Sequence, residues 1–256
     1  MFVSDNNQNQ QLGSSKQRNK RWTDVDSYFS DLLIAHDPML EEALQNNTAA
    51  GLPPQDVAPN QGKLLHLLAR IQGARTILEI GTLGGYSTIW LARALPADGR
   101  LITLESDPKH AEIARANIAR AGLSDAVEVR VGQALDLLQE LDVESKCFDM
   151  IFIDADKPNN PKYFEWALKL SRIGSMIIGD NVVRDGAVAD ADSTDPSVLG
   201  VRRFFELIAS EPRVSATAIQ TVGCKGYDGF AIALVTDDVY NESTNEGACF
   251  VELSER

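Results

Sequence analysis

Five short apolar runs, Thr76–Ile80, Leu101–Glu105, Val127–Val131, Met150–Asp154 and Ser175–Ile178, alternate with stretches of helical spacing at roughly 84–95, 108–121, 133–140 and 160–171. Strands joined through helices cannot form hairpins. Each return crosses over, so the sheet is parallel and both of its faces are buried. The rhythm therefore predicts an α/β fold, a doubly wound sheet with helices on both faces. Another helix fits 197–210. Two further apolar runs, Val214–Ile219 and Gly229–Val235, have only the Gly-containing segment Gly223–Asp228 between them. No helix fits there, so this pair is expected to be antiparallel at the sheet edge. Seven strands result, mostly parallel, with one antiparallel edge strand. Upstream, Trp22–Leu44 and Gln61–Arg70 read as helices that could cover a ligand cleft or build a dimer contact. Trp22, Val25, Tyr28, Phe29, Leu32, Leu33 and Leu40 form an apolar stripe that needs a partner surface, in its own domain or on a second copy.

The domain is expected to span 21–236. Eight of the first twenty residues are Asn or Gln, which reads as a disordered polar extension over 1–20. The last twenty residues carry six acids and one base, an acidic tail over 237–256. The formal net charge is −13, with 24 Lys+Arg against 37 Asp+Glu, and the acidity sits mainly in the folded body. That balance argues against a nucleic-acid partner, which calls for a basic stripe. No apolar run approaches the ~18 residues of a membrane span, and no secretory apolar segment is visible. Three widely spaced cysteines without a CxxC argue against a disulfide framework or structural zinc, so a cytoplasmic location is the default.

The first strand runs into LEIGTLGGYS, residues 78–87, with glycines at 81, 84 and 85. Glycine permits a tight strand-to-helix turn and close approach to backbone, and the helix start offers unpaired N–H groups. Glu105, ending the second strand, could accept hydrogen bonds from ribose hydroxyls. The pattern is not GxGxxG, and Glu79 before the first glycine suits a ligand bearing positive charge more than a pyrophosphate. A tight structural turn is the plain alternative.

The fourth strand ends in FIDADK and the fifth in GDN. Adjacent parallel strands bring their carboxyl ends side by side, so Asp154, Asp180 and Asn181 should converge at one sheet edge. Two carboxylates and an amide oxygen suit Mg²⁺ or Ca²⁺ rather than zinc. Lys157 stands three residues beyond Asp154, as a base or electrostatic aid, or simply as a solvated lysine.

Together LEIGTLGGYST, the acid of LITLES, VGQALDLL, FDMIFIDADK and GDNVVRDGAV resemble the cation-dependent class I S-adenosylmethionine O-methyltransferases, the caffeoyl-CoA and catechol O-methyltransferases and their bacterial relatives. The likeness covers roughly 22–236. It implies a Rossmann-like sheet, S-adenosylmethionine as methyl donor, a divalent cation (Mg²⁺, with Ca²⁺ or Mn²⁺ as alternatives) and a homodimer. Carried over by residue, it implies that Val57, Glu79, Gly81, Thr82, Gly85, Ser87, Glu105, Gln133, Ala134, Asp154 and Asp156 surround the cofactor. It implies Asp154, Asp180 and Asn181 as metal ligands and Lys157 as the base, with Asp154 beside it in the reaction. The expected reaction is methyl transfer to a hydroxyl of a small catechol-like phenol. None of His36, His66 and His110, all placed in helical stretches away from the strand ends, suits a base role. Two other readings share parts of this pattern. One is a tRNA-modifying O-methyltransferase, which would need a basic stripe from Arg184, Arg202, Arg203 and Lys225. The other is a non-catalytic cofactor-binding module.

Overall fold

The computed structural model describes residues 4–236, with side chains from residue 17 onward. Helices α1 (Ser4–Leu33), α2 (Pro38–Ala49) and α3 (Pro59–Gln72) precede the sheet. Then β1 (Thr76–Ile80), α4 (Tyr86–Ala92), β2 (Arg100–Glu105), α5 (Pro108–Arg120), β3 (Val127–Val131), α6 (Ala134–Val143) and β4 (Phe148–Ile153) alternate. After a short 3-10 turn at Lys157–Asn159 come α7 (Asn160–Lys169), β5 (Ser171–Asp180), α8 (Pro196–Ser210), β6 (Val214–Gly223) and β7 (Gly226–Val235).

The seven strands run in the order β3-β2-β1-β4-β5-β7-β6. The first five pair in parallel, and β7 pairs antiparallel with both β5 and β6. The reversed strand thus lies one place in from the edge, with β6 outside it. Chain direction changes sides at β1, where β2 lies on one flank and β4 on the other. The carboxyl ends of β1, β2, β4 and β5 open there together.

Alternation within the central strands divides the core. Leu78 and Ile80 face a cluster with Leu138 of α6, Phe164 of α7 and Phe204 of α8. Ile77 and Phe152 face the other, with Leu65 of α3, Ile89 of α4 and Ile118 of α5. Three helices begin with the same device: Asp37-Pro38, Asp107-Pro108 and Asp195-Pro196. Each aspartate accepts two amide hydrogen bonds from the first turn, and each proline fills a position whose N–H would be unpaired.

Several expectations change. The stretch 22–44 is two helices, because Asp37-Pro38 starts a new one; His36 accordingly lies in the connection and not in a helix. Helix α1 begins at Ser4, within the segment read as disordered. Lys20 and Asp24 form an i,i+4 pair on it. The acidic tail lies outside the described residues. Cys224 is free and exposed. No described helix is long and apolar enough to cross a membrane.

Candidate active site

Gly81 adopts φ 99°, and a Cβ there would lie 2.2 Å from the carbonyl oxygen of Asp154. The first glycine is therefore demanded by the end of β4 passing against the turn. Gly84 serves α2 instead, since a Cβ would lie 1.9 Å from Asn47 Oδ1. Asn117 Nδ2 donates to the Gly84 carbonyl (2.9 Å) and to Asn47 Oδ1 (3.0 Å), and Asn47 Nδ2 donates to Asp56 (2.8 Å). This buried polar chain ties the turn to α2, α5 and the wall of the cleft.

Glu79 is fully buried. Its carboxylate accepts hydrogen bonds from the hydroxyls of Ser87 (2.6 Å), Thr88 (2.5 Å) and Thr103 (2.7 Å). Burial pushes its pKa up to about 7, the charge of Asp154 adds to the rise, and the three hydroxyls oppose it. From the ordinary value of 4.5 to about 7, the folded state keeps a proton that the unfolded state has lost. Stability contributed by this group is thus complete below pH 4.5 and is lost as pH rises to about 7. The loss is on the order of 3 kcal/mol. Urea unfolding of the cofactor-free protein is expected to show Glu79→Gln losing less stability than wild type across that window; parallel curves would refute the assignment.

The carboxyl ends of the strands border a cavity of about 690 Å³. Val57, Gly81, Thr82, Ser87, Glu105, Gln133, Ala134, Asp154, Asp156, Lys157, Asp180 and Asn181 all line it. Glu79 and Gly85 do not: the first lies beneath the turn, and the second caps α4 in a left-handed conformation, φ 84°. At one end Glu105 accepts from the amides of Thr82 (3.2 Å), Leu83 (2.8 Å) and Asp107 (2.9 Å), which fixes an acid across the glycine turn. His110, expected to stand away from the strand ends, lines this end too, 3.7 Å from Glu105. It projects from the first turn of α5, directly after β2.

At the other end Lys157 Nζ donates to Asp154 Oδ1 at 3.0 Å, and the lysine is buried at 7% exposure. Helix α8 presses on its backbone at Gly200, where a Cβ would lie 2.2 Å from the Lys157 carbonyl oxygen. Asp180 accepts from Gln61 Nε2 (2.8 Å) and from the Asn181 amide (2.8 Å), and Asn181 is left-handed at φ 52°. Asp156 accepts from the Tyr163 hydroxyl (2.5 Å) and Asn159 Nδ2 (2.6 Å). Gln61, Asp56 and Tyr163 are cavity residues that the sequence does not announce. Arg184 and Lys225 also line the cavity, whereas Arg202 donates to the Val188 carbonyl and Arg203 pairs with Glu206.

Among the described residues no three His, Cys, Asp or Glu side chains cluster as a metal site. The candidate donors are two carboxylates and one amide. All three line the same cavity, and the buried carboxyl of Asp180 is pushed well above its usual range, by burial first and by Asp154 second. The charge of Asp154 raises Asp180 more than Lys157 lowers it, so added positive charge is favoured there and the hard oxygen set fits a divalent cation.

A sheet of this order with a reversed β7, a glycine turn after β1 and a carboxylate closing β2 is the frame of a class I S-adenosylmethionine-dependent methyltransferase. The family model described as O-methyltransferase matches residues 31–233. The chain belongs to this O-methyltransferase family. A catechol O-methyltransferase of Niastella koreensis is 55% identical over 218 residues, 85% of this chain and 99% of that protein. The O-methyltransferase of Bacillus cereus, solved in complex with SAH, is 67% identical, with TM-score 0.84 over 85% of this chain and 100% of its own. TomG of Streptomyces achromogenes, solved in complex with SAM, is 56% identical, with TM-score 0.83 over 86% of this chain and 99% of its own.

Proposed function

We propose that this S-adenosylmethionine-dependent O-methyltransferase acts on a hydroxyl of a small catechol-like phenol, assisted by a divalent cation, Mg²⁺ by preference, held by Asp154, Asp180 and Asn181. The observation that carries the reading is the meeting of these three donors and buried Lys157 in the cavity that also holds Gly81, Glu105 and Gln133. When bound, the cation supplies a lowered hydroxyl pKa and a fixed orientation of the diol. Lys157 Nζ is set to accept the phenolic proton, and its bond to Asp154 fixes where that nitrogen stands. The acceptor oxygen then takes the methyl carbon as the carbon–sulfur bond breaks. Glu105 and Gln133 line the opposite end, where they would hold the nucleoside of the methyl donor. Val57, Thr82, Ser87, Ala134 and Asp156 line the same cavity and would complete the donor site. The name of the Niastella relative supports the acceptor class.

The test is a panel of catechols and monophenols with wild type and Lys157→Met. Methylated catechol, sensitivity to EDTA and a loss of about 10²–10⁴-fold in the variant are expected. A loss below about tenfold would remove Lys157 from the proton transfer.

We also assign homodimer formation to α1, where Tyr28, Leu32 and Leu33 are 63%, 64% and 69% exposed. The protein's own domain leaves that face uncovered, and a contiguous apolar surface calls for a partner. Light scattering is expected to give twice the chain mass of 28.0 kDa; a single-chain mass would refute the dimer.

A further inference from the structure

Two of the basic side chains on the cavity wall are already engaged: Lys157 is bonded to Asp154, and His110 stands beside Glu105. Arg184 and Lys225 belong to no ion pair among the described residues. Arg184 is partly buried, and its Nε is buried with no hydrogen-bond partner. A desolvated N–H without an acceptor is costly, yet the fold secures it in place. Arg184 and Asp185 are both left-handed, at φ 56° and 54°. Asp228 of β7 accepts from the amides of Val183 (2.9 Å) and Arg184 (3.1 Å), which holds the strained turn. Strain of this kind in a non-glycine residue persists only where its surroundings over-determine it, and it gathers at ligand clamps. Lys225, at the tip of the β6–β7 hairpin, makes a single long bond of 3.3 Å to the Pro54 carbonyl. It feels the charge of Asp56. It also borders a second cavity of about 350 Å³, which shares Gln61, Asp180 and Asn181 with the first. Both cations therefore flank the end of the site where Asp180 and Asn181 stand.

We propose that Arg184 and Lys225 receive an anionic substituent of the acceptor, a carboxylate carried on the ring or on a short side chain, so that the preferred substrate is an acidic catechol. A guanidinium on the cavity wall that belongs to no ion pair presents a planar fork that matches a carboxylate in two-point contact, and the flexible lysine supplies a second charge. The inference rests on the catechol reading above. It goes beyond it by naming the recognised charge.

The experiment compares protocatechuate with its neutral alcohol analogue as acceptors for wild type, Arg184→Gln and Lys225→Gln, with the methyl donor varied separately. Wild type is expected to favour the acid by about tenfold or more in kcat/KM. Each variant is expected to reduce that preference at least about tenfold through the acceptor KM, with the KM of the methyl donor within twofold of wild type. Lys225 is exposed, so its variant remains informative if Arg184→Gln fails to fold. A wild-type preference near unity, a preference unchanged in both variants, or a rise confined to the KM of the methyl donor, whose own carboxylate is the competing anion, overturns the proposal. If neither phenol is methylated, the catechol reading fails by itself. Calorimetric binding of the two compounds to protein saturated with SAH then decides the clamp. Affinity that depends on the carboxylate and falls in Arg184→Gln upholds it, and equal affinities overturn it.

Discussion

Asparagine in place of Asp180 is expected to cut kcat/KM for a catechol by about 10³-fold or more while raising the melting temperature of the metal-free protein at pH 8. The two effects have one cause. Asp180 is 4% exposed at the end of β5, near Asp154, and a buried carboxylate without a compensating cation is destabilising. Asparagine keeps one oxygen for the Asn181 amide, and its Nδ2 takes the place of the oxygen that accepts from Gln61 Nε2; turning over the Gln61 amide presents Oε1 to that nitrogen, so both contacts are kept while the charge goes. The same charge is what would grip a divalent cation. Losing a Lewis acid worth several kcal/mol lowers the rate by about 10³-fold per 4 kcal/mol. Calorimetric melting beside steady-state kinetics with and without EDTA gives the answer. Wild-type turnover in the variant, unchanged by EDTA, would sink the metal mechanism. A lower melting temperature would refute the electrostatic account of the site.

Gly81→Ala carries the largest structural penalty expected in the site. The added methyl would meet the Asp154 carbonyl oxygen at 2.2 Å, and the obstacle is backbone of a central strand, which cannot rotate aside. At φ 99° an alanine is strained even in open space. A loss of about 3 kcal/mol or more is expected, from left-handed strain plus overpacking. Activity should fall together with stability, since relief of the clash displaces Asp154. Urea unfolding of wild type and variant measures the first effect, and a loss under 1 kcal/mol would show that the turn yields after all.

The strand ends were the most legible part of the sequence. Apolar runs that stop at Glu105, Asp154 and Asp180 fix both the sheet and its reactive edge, because strand direction and side-chain alternation are local properties. The start of α2 is equally local: Asp37-Pro38 opens a new helix inside the continuous apolar stripe, and the stripe alone does not show the break. Gln61, Tyr163 and the Asn47–Asn117 pair had no local signature. Gln61 and the Asn47–Asn117 pair act across long gaps in the chain, and nothing near Gln61 says that it will meet Asp180; Tyr163 reaches Asp156 only because α7 turns back onto the end of β4. The glycines were half legible. The sequence marks a turn, but the reasons for Gly81 and Gly84 lie in β4 and α2, which reach them only after folding. The four basic residues considered as a stripe divide between cavity wall and outer surface, a distinction that depends on burial and not on spacing.

The reversal of β7 has an architectural consequence. A strand running with the others would leave its closing loop at the far side of the sheet. Because β7 runs backwards beside β5, Phe230 stands opposite Asp180, and the bend at 223–226 arrives over the reactive edge. This bend needs no crossover helix and stands apart from the strand-to-helix turns around Gly81 and Gln133. It is held instead from the N-terminal side, where the Cys224 amide donates to Asp26 of α1 and Lys225 reaches the Pro54 carbonyl. The cleft has two jaws of different origin, one cut from the parallel strands and one formed by a single hairpin braced on α1.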